Sequence, residues 1–254
     1  MSLQSIKKSG SVKNSVSADE WQARVDLAAC YRLMSHFGVN DLTYNHLSVR
    51  VPGEPGRLLL KPRTQMFDEV TASSLEKFEF DGTPCQDGPR NFGGGLVIHA
   101  GILEARADLN VVFHTHTAAN MGVSSQKHGL LMINQHAVVF YKRMAYHDFG
   151  GFEFNLEQRP PLLSSLSTGT VMLLRNHGSL VCAATLQAAF IDHHYLETAC
   201  RGQVAALAGG VEVTLIPEEV CEIAVKQYNP AKSGDKDWPA CIRLANRLDP
   251  SYTE

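Results

Sequence analysis

A chain of 254 residues with 44% hydrophobic and 19% charged positions has the make-up of an ordinary soluble globular protein and can bury a core without staples. The formal net charge of −3 gives no basis for binding nucleic acid or an anionic membrane, and no apolar run reaches the roughly 18 residues a membrane helix needs. Histidine, at eleven, is the unusual count. The cysteines (Cys30, Cys85, Cys182, Cys200, Cys221 and Cys241) are scattered without CxxC spacing, the pattern of reduced thiols in a cytoplasm. The first residues carry lysines with no apolar stretch behind them and do not read as a signal peptide.

Residues 1–16, rich in Lys, Ser, Gly and Asn, read as a flexible tail ahead of one domain over 17–254. Ser17 opens a capping box with Glu20, and Trp21, Val25, Ala28, Ala29 and Leu33 follow at helical spacing until Gly38. LTYNHLSVRVPGEPGRLLLKP places two β-rich runs around Pro52, Gly53, Pro55 and Gly56, a hairpin. SLEKFEFDGTP is a short strand ending at an Asp81-Gly82 turn. GGGLVIHAGILEARADL reads as a helix with a glycine-rich entrance, NVVFHTH as a strand and TAANMGVSSQ as a helical turn. GTVMLLRNHGSLVCAAT is strand, turn at Asn176-His177-Gly178, and strand. Thr185 caps a long helix that stops at Gly209-Gly210, and helical pieces punctuated by Pro217, Pro230 and Pro239 complete the chain. Interleaved strands and helices place the chain in the α/β class.

The stretch VVFHTHTAAN carries the chemistry. Residues i and i+2 of a strand share a face, so His114 and His116 aim two imidazoles at one point. The best third partner is His177, in the tight turn RNHGSL, where Gly178 permits an unusual backbone angle. Three neutral imidazoles plus water make a catalytic metal site with an open position, able to polarise a carbonyl or activate water. HxH spacing alone also occurs in purely structural pairs.

VVFHTHTAAN together with LLRNHGSLVC, the intervening order of elements, and NHLSVR early in the chain resembles the class II aldolase/adducin family from about Ala23 to Gly210. The resemblance implies a single three-layer α/β/α domain with a central, mostly antiparallel sheet. It implies a divalent metal, usually zinc with iron or manganese as alternatives, held by His114, His116 and His177. It also implies a homotetramer with metal sites near subunit interfaces. The sugar-phosphate aldolases of the family carry an acid/base glutamate four residues before the helix histidine that corresponds to His99. Here that position is Gly95. Their phosphate-holding serine pair corresponds to Gly93-Gly94, and the Thr-Gly of their other phosphate loop to Arg63-Thr64. Arg63, Thr64, Gly94 and Gly95 are therefore the expected substrate contacts, with Arg63 offering a fork for a carboxylate and the glycines offering backbone N–H groups. NFGGGLVIHAGILEARADLNVVFHTH and GLLMINQHAVVFYKRMAYHDFGG resemble the adducin-like branch.

The expected function is a divalent-metal lyase acting on a small hydroxy- or oxo-acid by aldol cleavage or decarboxylation. Its alternatives are a non-catalytic scaffold, as in adducin heads, and a non-haem iron oxygenase. Tyr146 and His147, beside Asp148, are candidates to replace the missing acid/base, or else order a turn. His99 reads as a helix histidine satisfied within the fold. His193 and Glu197 read as an exposed or interfacial i,i+4 pair, and Glu104 as a surface charge beside an arginine. Asn176 is expected to fix its turn. Lys142 and Arg143 are expected to be solvated or to reach across a subunit boundary.

Overall fold

The computed structural model describes residues 10–86, 93–152 and 156–254. Residues 1–9 of the expected tail lie outside these; its remainder includes one helical turn, α1 (Gly10–Lys13). Ser17 caps α2 (Ala18–His36), its Oγ accepting from Glu20 N at 3.1 Å. The box is only half formed. The Glu20 carboxylate is buried and turns instead to Arg24 and Lys77, at 2.9 and 2.8 Å.

The expected hairpin is β1 (His46–Val51) and β2 (Glu54–Leu60), turned at Gly53 with φ +77°. β3 (Glu76–Glu79) extends it. Then come α3 (Gly94–Ala105), β4 (Val111–Thr115) and α4 (Ala118–Ser124). The following stretch contains α5 (Gln135–Val138), β5 (Met144–His147) and α6 (Arg159–Leu166), so Tyr146 and His147 sit on a strand and not in a loop. β6 (Val171–Leu174), β7 (Gly178–Ala183) and the long α7 (Leu186–Leu207) match expectation. α8 (Glu218–Gln227) and α9 (Pro230–Leu248) close the chain, and Pro239 lies inside α9 instead of ending it.

The strands form one seven-stranded sheet in the order β3-β2-β1-β4-β7-β6-β5. Every pairing is antiparallel except β5 with β6. β4 is central and buried along its whole length. Its alternating side chains feed two cores. Val111 and Phe113 join α2, α4, α5 and α7 on one face, and Val112 joins α3 and α6 on the other. The result is the three-layer α/β/α arrangement. The α3 face also receives His114, and the α7 face receives Thr115.

Candidate metal centre

His114 is the fourth residue of β4 and His116 follows its last. Their Nε2 atoms lie 2.9 Å apart, and His116 Nε2 lies 3.0 Å from His177 Nε2. All three ligand atoms fall within 4.8 Å of one another. His177 closes the turn between β6 and β7, where Leu174 pairs with Gly178. Asn176 takes the left-handed conformation there, at φ +59°, which asparagine tolerates. The unusual angle was expected at Gly178, yet that glycine has another reason. A Cβ on Gly178 would meet Thr115 O at 2.5 Å and His116 Cδ2 at 3.0 Å. Glycine is needed so that β7 can approach the end of β4.

Hydrogen bonds behind the rings define which nitrogens carry protons. His114 Nδ1 faces the Ser179 carbonyl at 2.9 Å, an acceptor only, and so donates. His116 Nδ1 faces the Asp41 carboxylate at 2.9 Å and also donates. His114 Nε2 is therefore a lone pair, 2.9 Å from His116 Nε2, and the ligand nitrogens of the three rings point to one place. Imidazoles held from behind by a carbonyl and a carboxylate are the usual outer arrangement of a metal-binding histidine.

Burial keeps His114 neutral. The His114 pKa lies well below the ordinary value, first because of desolvation and then because of the His46, His116 and His177 rings. His46 and His99 are likewise held well below it, chiefly by burial. Neutral imidazole is the form that ligates.

The loop carrying His116 is anchored from α7. His193 and Glu197 are 1% and 6% exposed, neither surface nor unpartnered. His193 Nε2 lies 2.8 Å from Thr115 Oγ1. Thr117 Oγ1 donates to the Glu197 carboxylate at 2.9 Å, and Arg201 Nε donates to it at 3.1 Å. Asn120 Nδ2 reaches Thr115 O and Ser179 Oγ, at 3.2 and 3.1 Å. Asn45 Oδ1 accepts from His116 N at 2.7 Å. His116 is thus held between two fixed residues. We expect Glu197→Ala to weaken metal binding by up to about tenfold, the low end for groups behind a ligand because it acts through Thr117, with Glu197→Gln near wild type. Chelator competition reads this; equal affinity in all three proteins would leave the network a role in folding alone.

The imidazoles open into a cavity of about 670 Å³ whose lining includes Lys61, Arg63, Gly93, Gly95, Phe149 and Phe152. Arg63 is exposed at this cavity, whereas Thr64 is exposed without lining it. Gly94 opens α3 between two lining glycines. Tyr146 and His147 are not among the lining residues. The Tyr146 hydroxyl accepts from Leu130 N at 3.1 Å beneath Arg175, and His147 Nδ1 is 2.9 Å from Ser165 Oγ on α6. Within this chain both are occupied by the fold. Arg143 pairs with buried Asp192 and Lys142 with Glu222, both at 2.8 Å, so neither is a free cation. Glu104 meets Arg159 at 3.3 Å, as a surface charge would.

Among the lining residues not singled out from the sequence are Lys61 and His46. Lys61 is buried, and its Nζ donates to the carbonyls of Thr43, Gln65 and Pro62 at 2.9, 2.8 and 3.4 Å. Desolvation pushes its pKa down to about 8. His46 starts β1 and pairs in register with His114, with ring centroids 5.1 Å apart. Its Nδ1 is 2.8 Å from His99 Nε2, and His99 Nδ1 is 2.5 Å from Ser48 Oγ. His99 is the satisfied helix histidine expected, but its partner is a cavity residue.

Comparison with known proteins agrees with this architecture. A Caulobacter vibrioides protein named for the class 2 aldolases is 38% identical over 248 residues, covering 96% of both chains. Rat alpha-adducin is 36% identical over 243 residues, 89% of this chain, which spans 33% of the adducin. A crystal structure of an aldolase II superfamily protein from Pseudomonas syringae superposes with TM-score 0.91 at 39% identity, covering 96% of this chain and 100% of that one. An L-fuculose 1-phosphate aldolase from Glaciozyma antarctica shares the fold at TM-score 0.82 and 21% identity, over 93% of each chain. Residues 25–204 match the Class II Aldolase and Adducin N-terminal domain. The chain belongs to the class II aldolase and adducin family.

Proposed function

We propose that this protein is a divalent-metal-dependent lyase that cleaves a carbon–carbon bond in a small hydroxy- or oxo-acid, by aldol cleavage or decarboxylation. The observation that carries the reading is the convergence of the His114, His116 and His177 ligand atoms, all within 4.8 Å of one another, at an open cavity. Zinc is the proposed ion, with iron and manganese as alternatives, since three imidazoles with an open position suit it. When bound, the metal withdraws electron density from a substrate oxygen and so stabilises charge that develops in bond cleavage.

The chain's own residues do the remainder. Arg63 and the α3 entrance at Gly94 and Gly95 receive a carboxylate, and Lys61 adds a buried positive charge beside them. Phe149, its ring centroid 6.1 Å from that of His177, and Phe152 add apolar surface to the cavity wall. His46 is placed to hydrogen-bond a reacting oxygen, the task for which Tyr146 and His147 stand elsewhere. We further propose a cytoplasmic homotetramer acting on a small molecule, with no nucleic-acid or membrane partner. The cysteines are free thiols, and no described helix is long and apolar enough to cross a membrane.

The test is an assay panel of sugar phosphates beside small non-phosphorylated hydroxy- and oxo-acids. Turnover of an acid is expected, with poor cleavage of fuculose or ribulose phosphate. An absent acid/base costs about 10²–10⁴-fold, so weak residual cleavage of sugar phosphate is compatible. Efficient turnover of a sugar phosphate would overturn the substrate class. Silence across the panel, with metal bound, would favour the scaffold.

A further inference from the structure

Glycine at position 95 leaves a volume that a different side chain fills. A Cβ placed on Gly95 would lie 2.8 Å from His46 Cδ2, 2.9 Å from Nε2 and 3.0 Å from Cγ. These are closer than a real Cβ approaches anything, so one of the two residues must yield. The His46 ring has little freedom to do so. Its backbone is fixed in β1 opposite His114, and its Nδ1 is tied to fully buried His99, which is tied in turn to Ser48. With Nδ1 engaged, Nε2 is the polar atom His46 has left for the cavity.

A second observation concerns charge. Among the described residues lining the cavity, the one acid is Asp41, and its carboxylate is engaged by His116 Nδ1. The cations are Lys61 and Arg63, and buried Lys61 makes no ion pair among the described residues, only bonds to carbonyls. A divalent ion held by three imidazoles, ligands that bring no negative charge, would keep its full charge of two. Such a cluster of positive charge in a partly enclosed space is stabilised by an anion, and strongly so where the effective dielectric is low.

We propose that His46 stands in for a side chain at position 95, and that this imidazole, its Nδ1 engaged by His99, makes the cavity a receptor for an anionic chelator, a 2-oxo or 2-hydroxy carboxylate, with His46 Nε2 as its contact. The inference rests on the metal-lyase reading for its ligand and on Gly95 geometry for its residue. A carboxylate on α3 would supply negative charge from the protein and compete with that of the substrate. An imidazole leaves the charge for the substrate to bring.

The experiment is a double-mutant cycle with two readouts. The first is thermal stability of chelated protein. Gly95→Ala should lower Tm by about 2–12 °C, the cost of overpacking in a chain this long, and the loss should vanish in a His46→Ala background. The second is oxalate binding to zinc-loaded protein by calorimetry. Wild type should bind oxalate; His46→Ala/Gly95→Glu should retain zinc yet bind oxalate about tenfold more weakly or worse, because the protein now carries the competing charge. Equal Tm losses for Gly95→Ala in both backgrounds would overturn the shared volume. Equal oxalate affinity in wild type and the double variant would overturn the charge argument. A wild type that takes up no zinc would sink the metal-lyase reading and the chelator with it, while the Tm cycle would still decide whether His46 occupies the place of residue 95.

Discussion

His116→Ala removes the metal. Wild-type protein purified without chelator should carry about one divalent ion per chain by elemental analysis, and the variant close to none. His116 is the nitrogen common to both short contacts, at 2.9 Å to His114 and 3.0 Å to His177. Removing it leaves two imidazoles, a weak site. Loss of an outer partner alone costs about 10–100-fold, and loss of a ligand should exceed that. The fold should survive, because the ring is only half-buried and lies past the end of β4. Metal-free wild type and variant should therefore melt at similar temperatures. Added zinc should raise the Tm of wild type alone, since a ligand stabilises only what it binds. Full occupancy in the variant would place the metal elsewhere. His147→Ala, in a residue bonded to α6, serves as the control and should keep its metal.

Acid should unfold the metal-free protein through histidines that bind no metal. His193 is buried against Thr115, and burial brings its pKa down to about 3. His99, buried between His46 and Ser48, is also held well below the ordinary value, by burial first and by His114 second. In the unfolded chain both titrate near the ordinary histidine value of 6.5. Below that pH the unfolded state binds protons that the folded state refuses, so stability falls as pH falls. The contribution is intact above about 6.5 and is lost progressively toward the folded pKa. His193 alone gives a slope of about 1.4 kcal/mol per pH unit, or roughly 2.7 kcal/mol by pH 4.5, and His99, His46 and His114, all held low by burial, steepen it. Against the about 5–15 kcal/mol of an ordinary domain that is a large loss. Urea midpoints of chelated protein between pH 7.5 and 4.5 measure the slope. His193→Gln should lower it by about one proton's worth, ~1.4 kcal/mol per pH unit. A flat profile in wild type would show that both rings are protonated or solvated in the folded state.

The ligand trio was readable because its signals are local. Alternation on a strand aligned His114 with His116, and a short turn between apolar runs marked His177. His46 was not readable. NHLSVR looks like any hairpin strand, and its closeness to His114 depends on which strand β1 pairs with, a contact 68 positions away in sequence (114 minus 46). His193 and Glu197 show the opposite difficulty. Spaced i,i+4 on a helix, they resemble a solvated pair, and only the packing of α7 against β4 and α4 buries them. The strand at Tyr146 and His147 is short and pairs in parallel with β6, so its existence rests on a partner that follows a helix later. Gly178 was noticed only for a torsional role that belongs to Asn176, whereas its small size is what the fold requires.

Gly178 has a wider meaning. With Thr115 O 2.5 Å from where its Cβ would be, the separation of β4 from the β6–β7 turn is gauged by main chain against main chain, with no side chain as spacer. The bite between His177 and the other two imidazoles is then a property of sheet closure, insensitive to the rotamers around it. During folding, the two-histidine half of the site can form with β4 alone, but the third arm arrives only when the β6–β7 hairpin docks. Metal capture should thus trail strand pairing, and a protein engineer wishing to enlarge the coordination sphere for a bigger ion would begin with the smallest residue near it.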